Sequence, residues 1–296
     1  MMRPRTTVIP LVEESAPSQW ALIRRRFFRH RLAVTGLVVL GLLMIACYGA
    51  PWIAPYADNY QDLLLGATGP SAEHWLGTDD LGRDFLSRLL FAGRISLSVG
   101  IGVGLLSTAV GVLLGSLAGY LGGWADELIM RIVDLFLIVP AIAILALALR
   151  GLGSSPITIV FVLSALGWTV IARVARSQVL SLREKEFVDA AIVLGASTTR
   201  VLIRHMVPNL AGVIAVNVSL AVAAAIITES TLSFLGFGVQ PPESSWGNML
   251  SQASGLLGTP QVYLLVFPGL FILITVLAVN FVGDGLRDAF DPHAKH

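Results

Sequence analysis

Charge is scarce in this chain. Only 13% of its 296 residues are Asp, Glu, Lys or Arg, about half the share of a typical soluble domain. That shortage excludes an ordinary water-soluble globule and fits a chain solvated by lipid. Cysteine is nearly absent: Cys47, inside an apolar run, is the only one, which excludes an internal disulfide and a cysteine zinc site. A net charge of +1 gives no bulk attraction to nucleic acid. No Gly-x4-Gly-Lys-Ser/Thr phosphate loop is present. The run Gly100-x-Gly102-x-Gly104 is no dinucleotide fingerprint, since no strand precedes it and no acid follows at the required distance. The first apolar run starts near Leu32 and has no small-residue cleavage site of the usual kind, so it reads as a retained span and not as a signal peptide.

Long hydrophobic runs are what the chain has in abundance. A bilayer core takes roughly 20 apolar residues per helix, and six runs meet that length, at about 32–53, 95–121, 129–149, 157–175, 210–235 and 262–282. None alternates strictly, which favours helices over barrel strands. The predicted fold is therefore an all-α polytopic membrane protein with six transmembrane helices. Its parts are a tail at 1–31, the first span at 32–53, a loop at 54–94, a five-helix core at 95–285 and a tail at 286–296. The core contains two further loops, 180–209 and 237–261.

Of the 20 Lys and Arg residues, all but Arg83, Arg88, Arg94 and Arg150 fall on the face that carries both termini and the loop after the fourth span. The positive-inside bias places that face in the cytoplasm. In the second span Gly100 and Gly104, then Gly111, Gly115 and Gly119, recur one turn apart, spacing that allows close helix contact in lipid. Pro140 is expected to kink the third span, either to shape a pathway or to fit a neighbour.

The inner loop carries the most informative pattern. It runs Glu186-Phe187-Val188-Asp189-Ala190-Ala191-Ile192-Val193-Leu194-Gly195 and continues to His205-Met206-Val207-Pro208-Asn209. This predicts a short helix, a glycine break and a second short helix stopped by Pro208. Ala190 and Ala191 leave the first helix thin enough for another surface to approach it. The pattern reads as a docking knob, or alternatively as an amphipathic hairpin on the membrane surface.

On the opposite face, His74-Trp75-Leu76-Gly77-Thr78-Asp79-Asp80-Leu81-Gly82-Arg83-Asp84 interrupts the apolar sequence. Thr78 is a good N-cap and the aspartates favour the positive end of a helix dipole, so an amphipathic helix is expected from Asp79 into the second span. His74 with Asp79, Asp80 and Asp84 makes only a weak metal pattern. Glu229 is the one acid deep in a span, costly there unless paired or functional. Its two readings are a residue lining the outer mouth, and an acceptor for backbone amides near Gly236 and Gly238. Asn217 and Asn280 are weaker cases, candidates for the pathway or for interhelical hydrogen bonds.

The Glu186–Pro208 pattern resembles the EAA loop of ABC importer permeases, with Asp189, His205 and Val207 in place of the family's Glu, Ile and Leu at unchanged spacing. The outer-loop string resembles the signature of the C-type permease of the peptide/nickel family. Further likeness lies in Glu229-Ser230-x-Leu232-Ser233-Phe234-Leu235-Gly236-x-Gly238, in Pro241-Pro242, in Ser245-Trp246-Gly247, and in Asn280-x-x-Gly283-Asp284-Gly285-Leu286-Arg287-Asp288 followed by Asp291-Pro292.

The resemblance covers about residues 20–292 and implies a type I ABC importer permease fold in a bacterial inner membrane. It implies a second permease that completes the pathway and two ATP-binding subunits docked at Glu186, Asp189, Ala190, Ala191, Leu194, Gly195, His205 and Pro208. It also implies an extracytoplasmic substrate-binding protein. The chain itself then has no catalytic residue and no cofactor, with ATP and Mg bound by the partners. Short peptides are the expected cargo, with nickel or metal chelates, glutathione-like compounds and sugars as alternatives. A self-contained secondary transporter would need more intramembrane acids or inverted repeats. An intramembrane enzyme would need a paired constellation at membrane depth, and none stands out.

Overall fold

The computed structural model describes residues 19–290. Arg3 and Arg5 of the first tail, and Asp291, Pro292 and Lys295 of the last, lie outside the described residues. In chain order the helices are α1 Gln19–Arg29, α2 Arg31–Tyr48, α3 Ala50–Ile53, α4 Phe85–Leu121, α5 Gly123–Ile138 and α6 Ala141–Leu152. They continue with α7 Pro156–Arg183, α8 Glu186–Val193, α9 Thr198–Val201, α10 Ala211–Phe234, α11 Trp246–Gln252 and α12 Tyr263–Phe290. Five helical segments are long and apolar enough to cross a membrane, and the bent pair α5–α6 brings the number to six if counted as one span. Among the described residues there is no strand, only an isolated bridge between Thr78 and Asp84.

The first tail carries a helix for which no expectation was stated, and three expectations about the elements need correction. The first tail is helical over α1, where Ile23 and Phe27 stand one turn apart on the face turned to the bundle. The second span begins at Phe85 and not near residue 95. Pro140 does more than kink the third span: the chain breaks into α5 and α6, bent by 90°, because proline supplies no amide to the helix and crowds the preceding turn. The fourth span runs on to Arg183. The carboxyl-terminal part of α7 holds Arg173 against Asp134 and Arg176 against Asp126, so two of the arginines counted on the basic face are paired with α5.

α4 lies at the centre, packed most extensively on α7 and next on α10. Its two glycine rows face different partners. Gly111, Gly115 and Gly119 meet α7, while Gly100 and Gly104 meet Ile226 and Val222 of α10. A Cβ on Gly115 would press into the Ala172 carbonyl oxygen, so the two backbones touch directly, the arrangement small residues permit in lipid.

Gly41 has no neighbouring atom within 4 Å of where its Cβ would sit. Gly115→Ala should therefore cost about 1–3 kcal/mol by overpacking and lower the melting temperature of the purified chain in detergent, while Gly41→Ala leaves it unchanged. Equal melting of the two variants would contradict backbone contact between α4 and α7.

Candidate functional site

The inner loop is built onto the bundle and is no free hairpin. α8 carries Glu186 and Asp189 in its first turn, where carboxylates favour the positive end of the dipole. It ends in a Schellman motif, with the Ala196 amide donating to the Ala191 carbonyl at 3.0 Å and the Gly195 amide to the Ile192 carbonyl at 2.9 Å. Gly195 sits at φ +81°, left-handed backbone that glycine adopts without strain. Val188 is fully buried and joins Val201, Leu202, Met206 and Leu210 in a cluster with Val112, Ile171 and Val179 of the spans.

Two sequence expectations fail here. Ala191, expected to meet a partner, faces this same chain and is 8% exposed, whereas Ala190 is open. Consecutive helix positions are about 100° apart, so the two alanines point in different directions. The outward surface is instead Phe187, Val193, Leu194 and Ile203, with Val193 and Leu194 each 86% exposed. Pro208, expected to stop a helix, does not: helical winding runs from Thr198 to Phe234. The winding passes through a π segment at Leu202–Met206 and a 3-10 segment at Val207–Leu210 before α10. His205 is half-buried and Pro208 exposed. The Asn209 side-chain amide donates to the His205 carbonyl at 2.6 Å, which satisfies an acceptor in the altered winding.

At membrane depth a cavity of about 430 Å³ opens between α4, α7, α10 and the α5–α6 break. Its wall includes Ser107, Phe136, Ala141, Thr169, Asn217 and Thr228. Asn217 stands in this wall and donates to the Val213 carbonyl at 2.8 Å. Asn280 is half-buried on α12 and is not among the residues lining the cavity. The broken third span thus contributes to the cavity, which sequence reasoning left open. Pro140 was the available signal.

The outer-loop signature folds into a cap, and the helix expected from Asp79 starts six residues later, at Phe85. Asp79 lies outside α4. Its carboxylate accepts the Leu81 and Arg83 amides at 3.0 Å each and pairs with the Arg83 and Arg88 guanidinium groups. The N-cap of α4 is Asp84, which takes the Ser87 amide at 2.8 Å and meets His74 Nδ1 at 3.0 Å. Thr78 caps nothing: its hydroxyl donates to the Gly66 carbonyl at 2.6 Å and accepts the Thr68 amide at 2.8 Å. Gly77 and Gly82 both have positive φ, and a Cβ on Gly82 would collide with the Asp62 carbonyl. Trp75 remains exposed. Among the described residues no group of three His, Cys, Asp or Glu could hold a metal ion.

Arg88, which sequence reasoning used only as a loop charge, ties this cap to Ser244 at 3.3 Å and to Gln252 of α11. An outer cavity of about 760 Å³ lies here, edged by Asp58, Asp80, Arg83, Arg88 and Gln252. Burial pushes the Asp58 carboxyl up, against the pull of Arg88 and Arg83.

Glu229 is buried where α10 meets α11. One carboxylate oxygen accepts the hydroxyls of Ser233 and Ser245, each at 2.7 Å. These donors are serine hydroxyls and not the expected backbone amides near Gly236 and Gly238, and the other carboxylate oxygen is buried without a hydrogen-bond partner among the described residues. Ser245 also N-caps α11 by accepting the Asn248 amide at 3.2 Å. The next residue, Trp246, is buried between spans, its amide donating to Ser96 Oγ at 3.1 Å and its indole to the Leu89 carbonyl at 2.9 Å. Glu229 therefore fastens the outer helix to the span.

Glu229→Gln keeps an acceptor oxygen and should preserve membrane abundance and most transport. Glu229→Ala leaves two buried hydroxyls without an acceptor, at roughly 1–3 kcal/mol each, and should lower abundance and thermal stability. Uptake abolished in a stable Glu229→Gln protein would assign the residue to the cargo path instead.

The chain matches two family models. "Binding-protein-dependent transport system inner membrane component" covers residues 111–296, and "N-terminal TM domain of oligopeptide transport permease C" covers residues 18–68. It is 40% identical to the oligopeptide transport system permease protein OppC of Haemophilus influenzae over 93% of this chain and 89% of that one. It is 41% identical to OppC of Bacillus subtilis over 96% of this chain and 93% of that one. With OppC of Mycobacterium bovis it shares 39% identity over 94% and 96% of the two chains. The fold, with its broken span, inner loop and outer cap, is thus that of a multi-pass permease, and the chain belongs to the family of binding-protein-dependent transport system inner membrane components.

Proposed function

We propose that this chain is one permease subunit of an ATP-driven peptide importer and takes up ATPase motion through residues 186–209. The observation that carries the reading is the inner loop. A capped two-turn helix presents Phe187, Val193 and Leu194 outside the bundle, while Val188 anchors it on α4 and α7 and Ala191 is buried. An exposed apolar knob on a rigid footing suits a docked contact. The helical segment that leaves the knob also forms one wall of the membrane cavity at Asn217 and Thr228, so a push on the loop reaches the path of the cargo.

The peptide cargo rests on the relatives whose names give oligopeptide transport. In this reading a second permease closes the cavity, two ATP-binding subunits take the inner loop, and a binding protein delivers peptide to the outer cap. The chain hydrolyses nothing and binds no cofactor, with ATP and Mg held by the partner subunits. Both termini and the inner loop face the cytoplasm, and residues 54–84 and 235–262 face outward.

In a Cys47→Ala background, Leu64→Cys should react with an impermeant thiol reagent on intact cells, and Val193→Cys only after lysis. Labelling of position 193 on intact cells would overturn the orientation.

Leu194→Asp places a charge on the exposed knob, where it costs the isolated fold little. Membrane abundance should be normal, while ATPase copurification and peptide uptake fall at least about tenfold, the equivalent of 1.4 kcal/mol. Ala191→Asp, which buries a charge inside the chain's own packing, should instead lower abundance. Retained ATPase binding and uptake in Leu194→Asp would remove the coupling role.

A further inference from the structure

We propose that α1 is an anionic-lipid-binding helix, held flat on the inner membrane surface, whose arginines grip phospholipid headgroups. It rests on the inner-face placement of the first tail given above. A single residue, His30, separates α1 from the first span. His30 is extended at φ −78° and ψ 98°, and its Nδ1 accepts the Ala33 amide at 3.1 Å as the N-cap of α2. The break ends one helix and starts the next, so α1 is tethered at the end of a span and does not prolong it.

Residues four apart stack on one face of a helix, which divides α1 into stripes. Ile23 and Phe27 pack on Ala33 and Ala289. The Trp20 ring meets Phe290 edge-on at 6.3 Å. Beside that packed stripe, Trp20, Arg24 and Phe28 form a second one, with Trp20 68% and Phe28 58% exposed. Leu22, Arg25 and Arg29 form a third, also exposed. Large rings flanking a guanidinium are suited to the membrane interface, where the ring is half wet and the cation reaches a phosphate.

Among the described residues Arg24, Arg25, Arg29 and Arg31 form no ion pair, and the nearby Asp288 is taken by His30 Nε2 at 3.5 Å. Asp284 is exposed one turn earlier on α12. The cluster is thus strongly cationic and sits immediately beside a span, the pattern that attracts anionic lipid. Topology alone needs positive charge on this side, but it does not need exposed aromatic rings set between the charges.

Native mass spectrometry of the full chain in detergent, titrated with phosphatidylglycerol or phosphatidylcholine, tests the proposal. The wild type should retain phosphatidylglycerol preferentially. Each Arg→Gln change at positions 24, 25, 29 and 31 should weaken that retention roughly fivefold, the equivalent of about 1 kcal/mol. Lysine at the same positions should restore most of it, because the headgroup contact is chiefly coulombic. Trp20→Ala with Phe28→Ala should weaken retention of both lipids. Equal retention of the two lipids, or unchanged retention in the glutamine variants, would overturn the proposal. So would displacement by inorganic phosphate at matching concentration, which marks a free-anion site. Loss of ATPase copurification in the glutamine variants with lipid retention intact would assign the surface to a protein partner instead. Lipid retention in detergent does not depend on orientation, so failure here is separable from failure of the thiol-labelling result.

Discussion

Direct backbone contact of α4 with α7 and α10 is the constraint on which the rest of this structure depends. Between lipid-solvated helices the hydrophobic effect offers little, so association relies on close packing and on hydrogen bonds. Gly115 brings α4 onto the Ala172 carbonyl, and Gly104 brings it onto Val222. With α4 held on two sides, α7 and α10 are fixed relative to each other. The space left between them and the broken third span is the membrane cavity. A bulky residue in either glycine row would change the width of that cavity before it touched any polar group lining it.

The helical segment from Thr198 to Phe234 links three features that lie far apart in space. At one end is the exposed apolar knob of residues 187–194, in its middle is Asn217 in the cavity wall, and near its other end Glu229 accepts from Ser245. Its winding changes only over residues 202–210, where Pro208 removes a donor and the Asn209 side chain supplies another. Irregular winding of this kind often marks a functional hinge. Beyond the clasp, Trp246 and Arg88 join α11 to α4 and to the outer cap. The inner and outer faces are therefore connected by hydrogen bonds and packed side chains without a flexible linker between them.

Much of this was legible in the residues. Hydropathy alone marks the spans because lipid permits little else, and the glycine rows mark the closely packed helix. The failures share a cause: a local signal was overruled by a contact distant in sequence. Thr78-Asp79-Asp80 reads as a helix start, yet Arg88 and the Gly82 turn claim Asp79, which leaves the cap to Asp84. Adjacent alanines read as one thin surface, yet Ala191 is buried within the chain and Ala190 is left outside. Pro140 announces an interruption, but its position alone does not give the size of the bend, which is 90°. Two serine hydroxyls reach Oε1 of Glu229, and one of them, Ser245, is delivered by a turn 16 residues away. The spacing of Ile23 and Phe27 was a readable helical signal in the first tail, hidden among its arginines.

The central claim is that the inner loop is where ATPase motion enters this chain. Hydrogen exchange on the purified permease pair, with and without its ATP-binding subunits, measures that contact amide by amide. The account predicts slowed exchange in residues 186–195 on addition of the ATPases, with the outer cap unaffected in the same sample. Unchanged exchange across residues 186–195 in a complex that hydrolyses ATP and imports peptide would contradict it.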